Sequence, residues 1–241
     1  LTITVGNRPP VINAGPDRTA SEGQLLSFVA NITDPGSADT HTATINWGDG
    51  TPLETAQVRN ASSGRSASAS HRYADNGIYA VTVTVRDDDG AVASDTLIVT
   101  VSNVSPLVDS GPDRTVNTAD FVALPVADFF YLFNEDFGTS RLLRQAGSFV
   151  DPGALDTHTA TIDWGDGTTE SVPVTERVFG PNGAPTGVSG VVLARHRYAR
   201  QGTYTATIRL TDKDGGIGVD SFVVTVLNSG NNSPVAVDDE A

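Results

Sequence analysis

The chain of 241 residues carries 29 acidic and 15 basic side chains, a formal net charge of −14, and it has no cysteine or methionine. The charge argues against nucleic acid as a partner, because a negative surface repels phosphates. The lack of cysteine excludes disulfides and thiol chemistry. An acidic chain suits a cation-rich medium, where divalent ions are bound and repulsion is screened. No apolar run is long enough to span a membrane, so we expect no membrane insertion.

The stretch 39–50 returns almost unchanged at 156–167, an offset of 117 residues. Such self-similarity indicates a tandem array of one structural unit. Within the stretch, Ala43, Ile45 and Trp47 alternate with polar residues, a pattern that predicts a strand with one buried face. The Gly-Asp-Gly that follows is typical of a narrow hairpin turn. We therefore expect each repeat to be built around one buried tryptophan.

Three similar strand endings indicate the domain boundaries. Residues 1–7, 97–103 and 222–228 each end on asparagine, and a short linker with proline follows each of them. The sequence is accordingly expected to be a piece of a longer modular protein. We interpret it as the end of a preceding module (1–7), a first domain (8–104), a second domain (105–228), and a linker with the start of a further module (229–241).

Each complete repeat shows about seven short strands, with turn signals every ~8–12 residues and no helical periodicity. This pattern predicts an all-β fold of two tandem Greek-key immunoglobulin-like β-sandwiches. In the first repeat we expect a kinked edge strand at 11–19. We also expect Leu25, Phe28 and Ile32 to be core residues of one strand, and residues 59–69 to form a mobile loop.

The second repeat differs from the first by two insertions. One adds about eight residues before His196, and the other adds about 21 residues between Thr115 and Asp151, near 125–146. One interpretation of the larger insertion is a satellite cluster folded onto the domain edge. The other is a partner-binding loop, because large apolar patches usually mark interfaces. Its aromatic residues are Phe129, Phe130, Tyr131, Phe133 and Phe137.

No catalytic constellation stands out, since the sequence has neither a Gly-x-Ser-x-Gly elbow nor a phosphate-binding loop. We therefore expect no enzymatic activity. The histidines fall into two equivalent pairs, and we interpret them as structural. We interpret Asp39 and Asp49, with their counterparts Asp156 and Asp166, as acceptors within local turns.

Aspartates in two turns of each repeat form the best candidate metal site. Greek-key connectivity would place them at one end of the sandwich, and calcium takes six to eight oxygen ligands. The same spacing also fits ordinary turns capped by aspartate side chains, so both readings stay open. The candidate ligands are Asp34, Asp87 and Asp89 in the first repeat and Asp151, Asp212 and Asp214 in the second.

At its most regular motifs the chain resembles the PKD (polycystic kidney disease) domain family. That family shows a Trp-Gly-Asp-Gly turn, then His-x-Tyr, a Gly-x-Tyr strand and an Asp-x-x-Gly turn, here at 47–50, 71–73, 77–79 and 87–90. The resemblance implies an extracellular sandwich domain with calcium at domain junctions in some members. It also implies that Asn7 and Asn103, at the two domain entrances, each add a ligand oxygen. The tail at 233–239 resembles the start of a cadherin-like repeat.

These observations predict a non-catalytic structural or adhesive spacer of a large extracellular or cell-surface protein, stiffened by calcium at its domain junctions. Its partners would be the neighbouring modules of the same chain. One alternative is a module that binds a surface protein or a polysaccharide through the aromatic insertion. Another is an accessory domain of a secreted hydrolase.

Overall fold

The computed structural model describes residues 6–61, 64–118, 120, 122–123, 147–181 and 185–228. The described residues form strands and turns, and none of them belongs to a helix that could span a membrane. The chain divides into two compact units, and the main division falls between Val104 and Ser105. Each unit is an all-β sandwich, as the sequence predicts.

Strands of the first unit are joined in the order β1-β3-β6-β5-β4-β7-β8-β2. Gly15, at φ +87°, separates the first two strands, so that β1 pairs antiparallel with β3 and β2 pairs parallel with β8. The predicted kinked edge strand is thereby confirmed. The described strands are β1 (Val11–Asn13), β2 (Arg18–Ser21), β3 (Leu25–Thr33), β4 (His41–Asn46), β5 (Glu54–Ala61), β6 (Gly64–Arg72), β7 (Gly77–Asp87) and β8 (Val92–Ser102).

Strand β5 connects the two halves of this sandwich. Residues 54–56 pair with β4, whereas residues 57–61 pair with β6. The core lies between the halves, because alternate side chains of a strand point to the same face. Val81, Val83 and Val85 of β7 are all 0% exposed.

Two expectations for the first unit are wrong. The described residues of 59–69 are not a loop, since residues 59–61 of β5 pair with residues 64–66 of β6 and Ala67 is fully buried. Its small serine and alanine side chains suit close packing in a sheet. Leu25 is 51% exposed, because residues three apart in a strand lie on opposite faces. Phe28 and Ile32 are buried as predicted, and Leu26 packs on the core instead of Leu25.

The second unit repeats this plan with one interrupted strand. In the first unit β3 pairs Leu26 with His71. In the second, β11 pairs Val122 with His196, and β12 pairs with β9 as the end of β3 pairs with β1. The counterpart of β3 is thus divided into β11 and β12, and the larger insertion lies between them in the sequence.

The second core is formed by equivalent residues, with Trp164, Ile162 and Ile208 each 0% exposed. The strands are β9 (Leu107–Asp109), β10 (Arg114–Asn117), β11 (Val122–Ala123), β12 (Ser148–Asp151), β13 (His158–Asp163), β14 (Thr169–Val172), β15 (Val174–Phe179), β16 (Gly187–Val192), β17 (Arg195–His196), β18 (Gly202–Asp212) and β19 (Ile217–Leu227).

Candidate metal centre and its counterpart in the second repeat

A buried tryptophan holds the hairpin after β4 through three side chains. Trp47 is 1% exposed and donates its indole N–H to Glu54 at 2.8 Å. The His71 ring stacks on the indole at 4.7 Å, and the Tyr73 hydroxyl donates to the Trp47 carbonyl at 3.2 Å. Tyr73 therefore ties the corner to the sheet, as corner tyrosines do in sandwich folds.

The hairpin turn itself is fixed by Asp49 and Gly48. Asp49 accepts the backbone N–H and the hydroxyl of Thr51, and its second oxygen lies 2.7 Å from Nε2 of His71. Burial disfavours the charged carboxylate, but these hydrogen bonds outweigh it and lower the pKa of Asp49. Gly48 has φ +80°, and a Cβ there would lie 2.6 Å from the Ala80 carbonyl oxygen. Glycine is needed at this position for both reasons.

The second repeat builds the same arrangement, which we call the tryptophan lock. Trp164 donates to Glu170 at 2.8 Å, His196 lies 2.8 Å from Asp166, and the Tyr198 hydroxyl donates to the Trp164 carbonyl at 2.8 Å. Sequence reasoning missed the two glutamates. The available signal was a glutamate seven residues after Trp47 and six residues after Trp164, on the far strand of each hairpin.

Three carboxylates at one end of the first unit form the candidate metal centre. Asp34 follows β3, Asp39 precedes β4 and Asp87 ends β7, and each offers an oxygen within 4.8 Å of the others. Asn7 joins them, since its amide donates to Asp87 at 2.9 Å. Asp34 also contacts Nε2 of His41 at 2.9 Å, and both side chains are 0% exposed.

The surroundings of this cluster shift the pKa values of its carboxylates in different directions. Desolvation raises the pKa of Asp39, and the neighbouring carboxylates at 34, 87, 88 and 89 raise it further. In contrast, the hydrogen bond from Asn7 lowers the pKa of Asp87. Asp39 is therefore the group whose negative charge is least compensated, and a cation there would favour the charged form. This differs from our interpretation of Asp39 as a simple turn acceptor.

In the second unit, a lysine side chain of the same unit contacts the equivalent carboxylates. Asp151, Asp156 and Asp212 correspond to Asp34, Asp39 and Asp87, and His158 contacts Asp151 at 3.2 Å. The ammonium of Lys213 lies 2.5 Å from an oxygen of Asp156 and 3.0 Å from Asp214. Lys213 is the only lysine of the chain, and Asp88 stands at its position in the first repeat.

The remaining predicted ligands have other surroundings. Asp89 is exposed and lies outside the group of three, although its charge acts on Asp39. Asp212 accepts the backbone N–H groups of Asp214 and Gly216, so it caps its own turn. Asn103 follows β8 at the entrance to the second repeat. The predicted partner-binding residues Phe129, Phe130, Tyr131, Phe133 and Phe137 lie outside the described residues.

Solved structures similar to this chain include two PKD domains and an adhesin. The PKD domain of an M14-like peptidase from Thermoplasmatales archaeon SCGC AB-540-F20 is 27% identical, covering 40% of this chain and 98% of that one, with a TM-score of 0.33. The PKD1 domain of Vibrio anguillarum Epp is 23% identical over the same shares, with a TM-score of 0.28. The Yersinia pseudotuberculosis adhesin InvE is 14% identical over 89% of this chain and 58% of its own, with a TM-score of 0.38.

A search of curated proteins gave no match. The family model of the PKD domain matches residues 7–101, which include the tryptophan lock and the three carboxylates of the candidate metal centre. The first repeat, over residues 7–101, therefore belongs to the PKD domain family.

Proposed function

We propose that the chain is a non-catalytic structural spacer of an extracellular or cell-surface protein, and that calcium stabilises the entrance of its first domain. The observation that supports the structural role most strongly is that the histidines form equivalent pairs with aspartates in both repeats. Every histidine of the chain is paired with an aspartate, and the pairs are equivalent in the two repeats: His41–Asp34, His71–Asp49, His158–Asp151 and His196–Asp166.

These pairs are suited to stability rather than to proton transfer on a substrate. A general base must reach the substrate, directly or through one water. The side chains of His41 and His158 are 0% exposed, and those of His71 and His196 are only 13% and 16% exposed because each is stacked on a tryptophan. The same lock in successive units gives each one its own rigid core, which is what a spacer requires.

Calcium is the cation that the first cluster fits best. Three carboxylates on separate turns supply hard oxygen ligands, and backbone carbonyls or water would complete a coordination number of six to eight. One oxygen of Asp34 and one of Asp87 already accept backbone N–H groups, which fixes the directions of their remaining lone pairs. Magnesium would require a tighter octahedral arrangement and gives up its water reluctantly.

A cation in this cluster would act on the segment that leads into the domain. Asn7 lies before β1 and is bonded to Asp87, which is itself a candidate ligand. Binding at Asp87 would therefore fix the entrance segment to the turn between β7 and β8. This coupling is how calcium would stiffen the connection to a preceding module.

The proposal is tested by thermal unfolding in EDTA, in ~10 mM calcium and in ~10 mM magnesium. A site with a dissociation constant of ~10⁻⁴ M would be about 100-fold saturated, which adds about 2.7 kcal/mol to the first domain. For a domain of this size the midpoint should rise by roughly ten degrees or more. Magnesium should do much less.

The matched variants are Asp39→Asn and Asp156→Asn, which remove one carboxylate from equivalent positions. We expect Asp39→Asn to reduce the calcium response strongly and Asp156→Asn to leave it intact. A parent chain without any calcium shift would contradict the cation part of the proposal.

A further inference from the structure

We propose that Lys213 is a built-in counter-ion that replaces a bound cation in the second domain, so that only the first domain depends on a metal from solution. The inference rests on the proposed function for its metal component. Its lysine component stands on contacts within the second unit. The two repeats would thus carry the same site in two forms. In the first the site binds a cation from solution, and in the second the lysine ammonium takes the place of that cation.

Strand pairing shows that the two sites are equivalent. In the first unit β4 pairs His41 with Asp87, and in the second β13 pairs His158 with Asp212. The residue after each of these aspartates begins the turn to the next strand. It is Asp88 in one repeat and Lys213 in the other. The same backbone position therefore carries opposite charges.

The lysine is placed where a cation is needed. The Asp156 side chain is 0% exposed, and an isolated buried carboxylate is strongly disfavoured. The Lys213 ammonium supplies the compensating charge at 2.5 Å, while Asp214 at 3.0 Å helps to orient it. Because the ammonium is attached to the chain, no loss of a free ion's translational freedom is required, and the site is occupied in any medium.

His158 adds to this internal compensation. Its two ring nitrogens contact Asp151 and Glu176, at 3.2 Å and 2.8 Å. Lys213 and His158 thus offset part of the carboxylate charge of the second cluster, although Asp156 still experiences the charges of Asp151 and Asp212.

The first cluster also has basic groups of its own, since His41 contacts Asp34 and Arg65 lies nearby, but it has a carboxylate where the second cluster has the ammonium. Asp88 accepts the backbone N–H of Thr40 at 3.1 Å, so its side chain lies beside the residue that follows Asp39. It adds a fourth carboxylate to the neighbourhood where the second repeat has an ammonium. A lysine at position 88 would reach Asp39 from this place, as Lys213 reaches Asp156.

The test exchanges the two residues in the full chain. Hydrogen exchange followed by mass spectrometry reads the two domains separately, through peptides from β7 and from β18. The variants are Asp88→Lys and Lys213→Asp, with Asp88→Asn as the control that removes charge without adding an ammonium. Lys213→Arg is the conservative variant that keeps the positive charge. Each is measured in EDTA and in ~10 mM calcium.

In EDTA, Lys213→Asp should speed exchange in β18 by tenfold or more, and Lys213→Arg should restore most of the protection. Asp88→Lys should slow exchange in β7 beyond the effect of Asp88→Asn. In calcium, the parent should gain protection in β7 by up to about 100-fold, the value for a site at 100 times its dissociation constant. Asp88→Lys should lose most of that gain, and Lys213→Asp should acquire one in β18.

The outcomes separate this inference from the proposed function. If calcium protects neither domain of the parent, the metal proposal fails, while the EDTA results still judge the role of Lys213. If Lys213→Asp leaves exchange in β18 unchanged in EDTA, the counter-ion inference is wrong whatever calcium does in the first domain. If Asp88→Lys responds to calcium as fully as the parent, the inferred exchange of metal for lysine is also wrong.

Discussion

Replacing Tyr73 by phenylalanine isolates one hydrogen bond of the tryptophan lock. The hydroxyl donates to the Trp47 carbonyl at 3.2 Å, and Tyr73 is only 1% exposed. Its ring would keep the stacking on Tyr79 at 4.4 Å, so the main loss is the donor to a buried carbonyl. Leaving a buried acceptor unsatisfied costs about 1–3 kcal/mol. We expect the free energy of unfolding of the first domain to fall by that amount.

Urea unfolding or hydrogen exchange of the first domain measures this change. The matched control is Tyr79→Phe, because the Tyr79 hydroxyl donates to the carbonyls of Asp75 and Asn76 from a half-buried position, where water can replace it. The control should cost no more than about 1 kcal/mol. Equal losses in the two variants would refute the claim that the buried carbonyl of Trp47 depends on Tyr73.

Three further predictions concern the hairpin after β4. Gly48→Ala should destabilise the first domain more than Gly50→Ala does, as measured by calorimetry. Both glycines have positive φ, but only a Cβ at position 48 would meet a backbone oxygen. The pKa of Asp49 is lowered by folding, so this carboxylate stabilises the first domain fully above the ordinary aspartate pKa, near 4. The stabilisation is lost as the pH falls through the pKa of Asp49 in the folded domain. Asp49→Asn should therefore flatten the acid dependence of the free energy of unfolding, measured from pH 2 to 6. Trp47→Ala should cost about 3–5 kcal/mol in urea unfolding, and a cost below 1 kcal/mol would contradict its core role.

The sequence was sufficient for the features that depend on local pattern. Alternation around Trp47 and the Gly-Asp-Gly turn predicted a buried strand and a hairpin, and both are present. The tandem repeat predicted two sandwiches, and the edge strand was predicted to break at 11–19. These features follow from periodicity and backbone freedom, which depend on residues that are close together in the sequence.

The features that were missed depend on which segments meet in space. Residues 59–61 and 64–69 resemble a loop by composition, but strand pairing makes them part of β5 and β6, which shows tertiary context overriding local propensity. Asp39 was interpreted as a turn acceptor because its proximity to Asp87 could not be predicted. That proximity depends on the register of β4 against β7. The role of Lys213 could not be predicted either, because its contact with Asp156 joins residues 57 positions apart in the sequence.

The calcium dependence of the first domain is the most direct test of the central claim, that the carboxylate cluster of Asp34, Asp39 and Asp87 recruits a cation. Hydrogen exchange in β7 of the unmodified chain, compared between EDTA and ~10 mM calcium, measures it. The account predicts slower exchange in β7 with calcium, by up to about 100-fold, and little change in β18. Exchange in β7 that is the same in both media would mean that Asp34, Asp39 and Asp87 serve their turns alone.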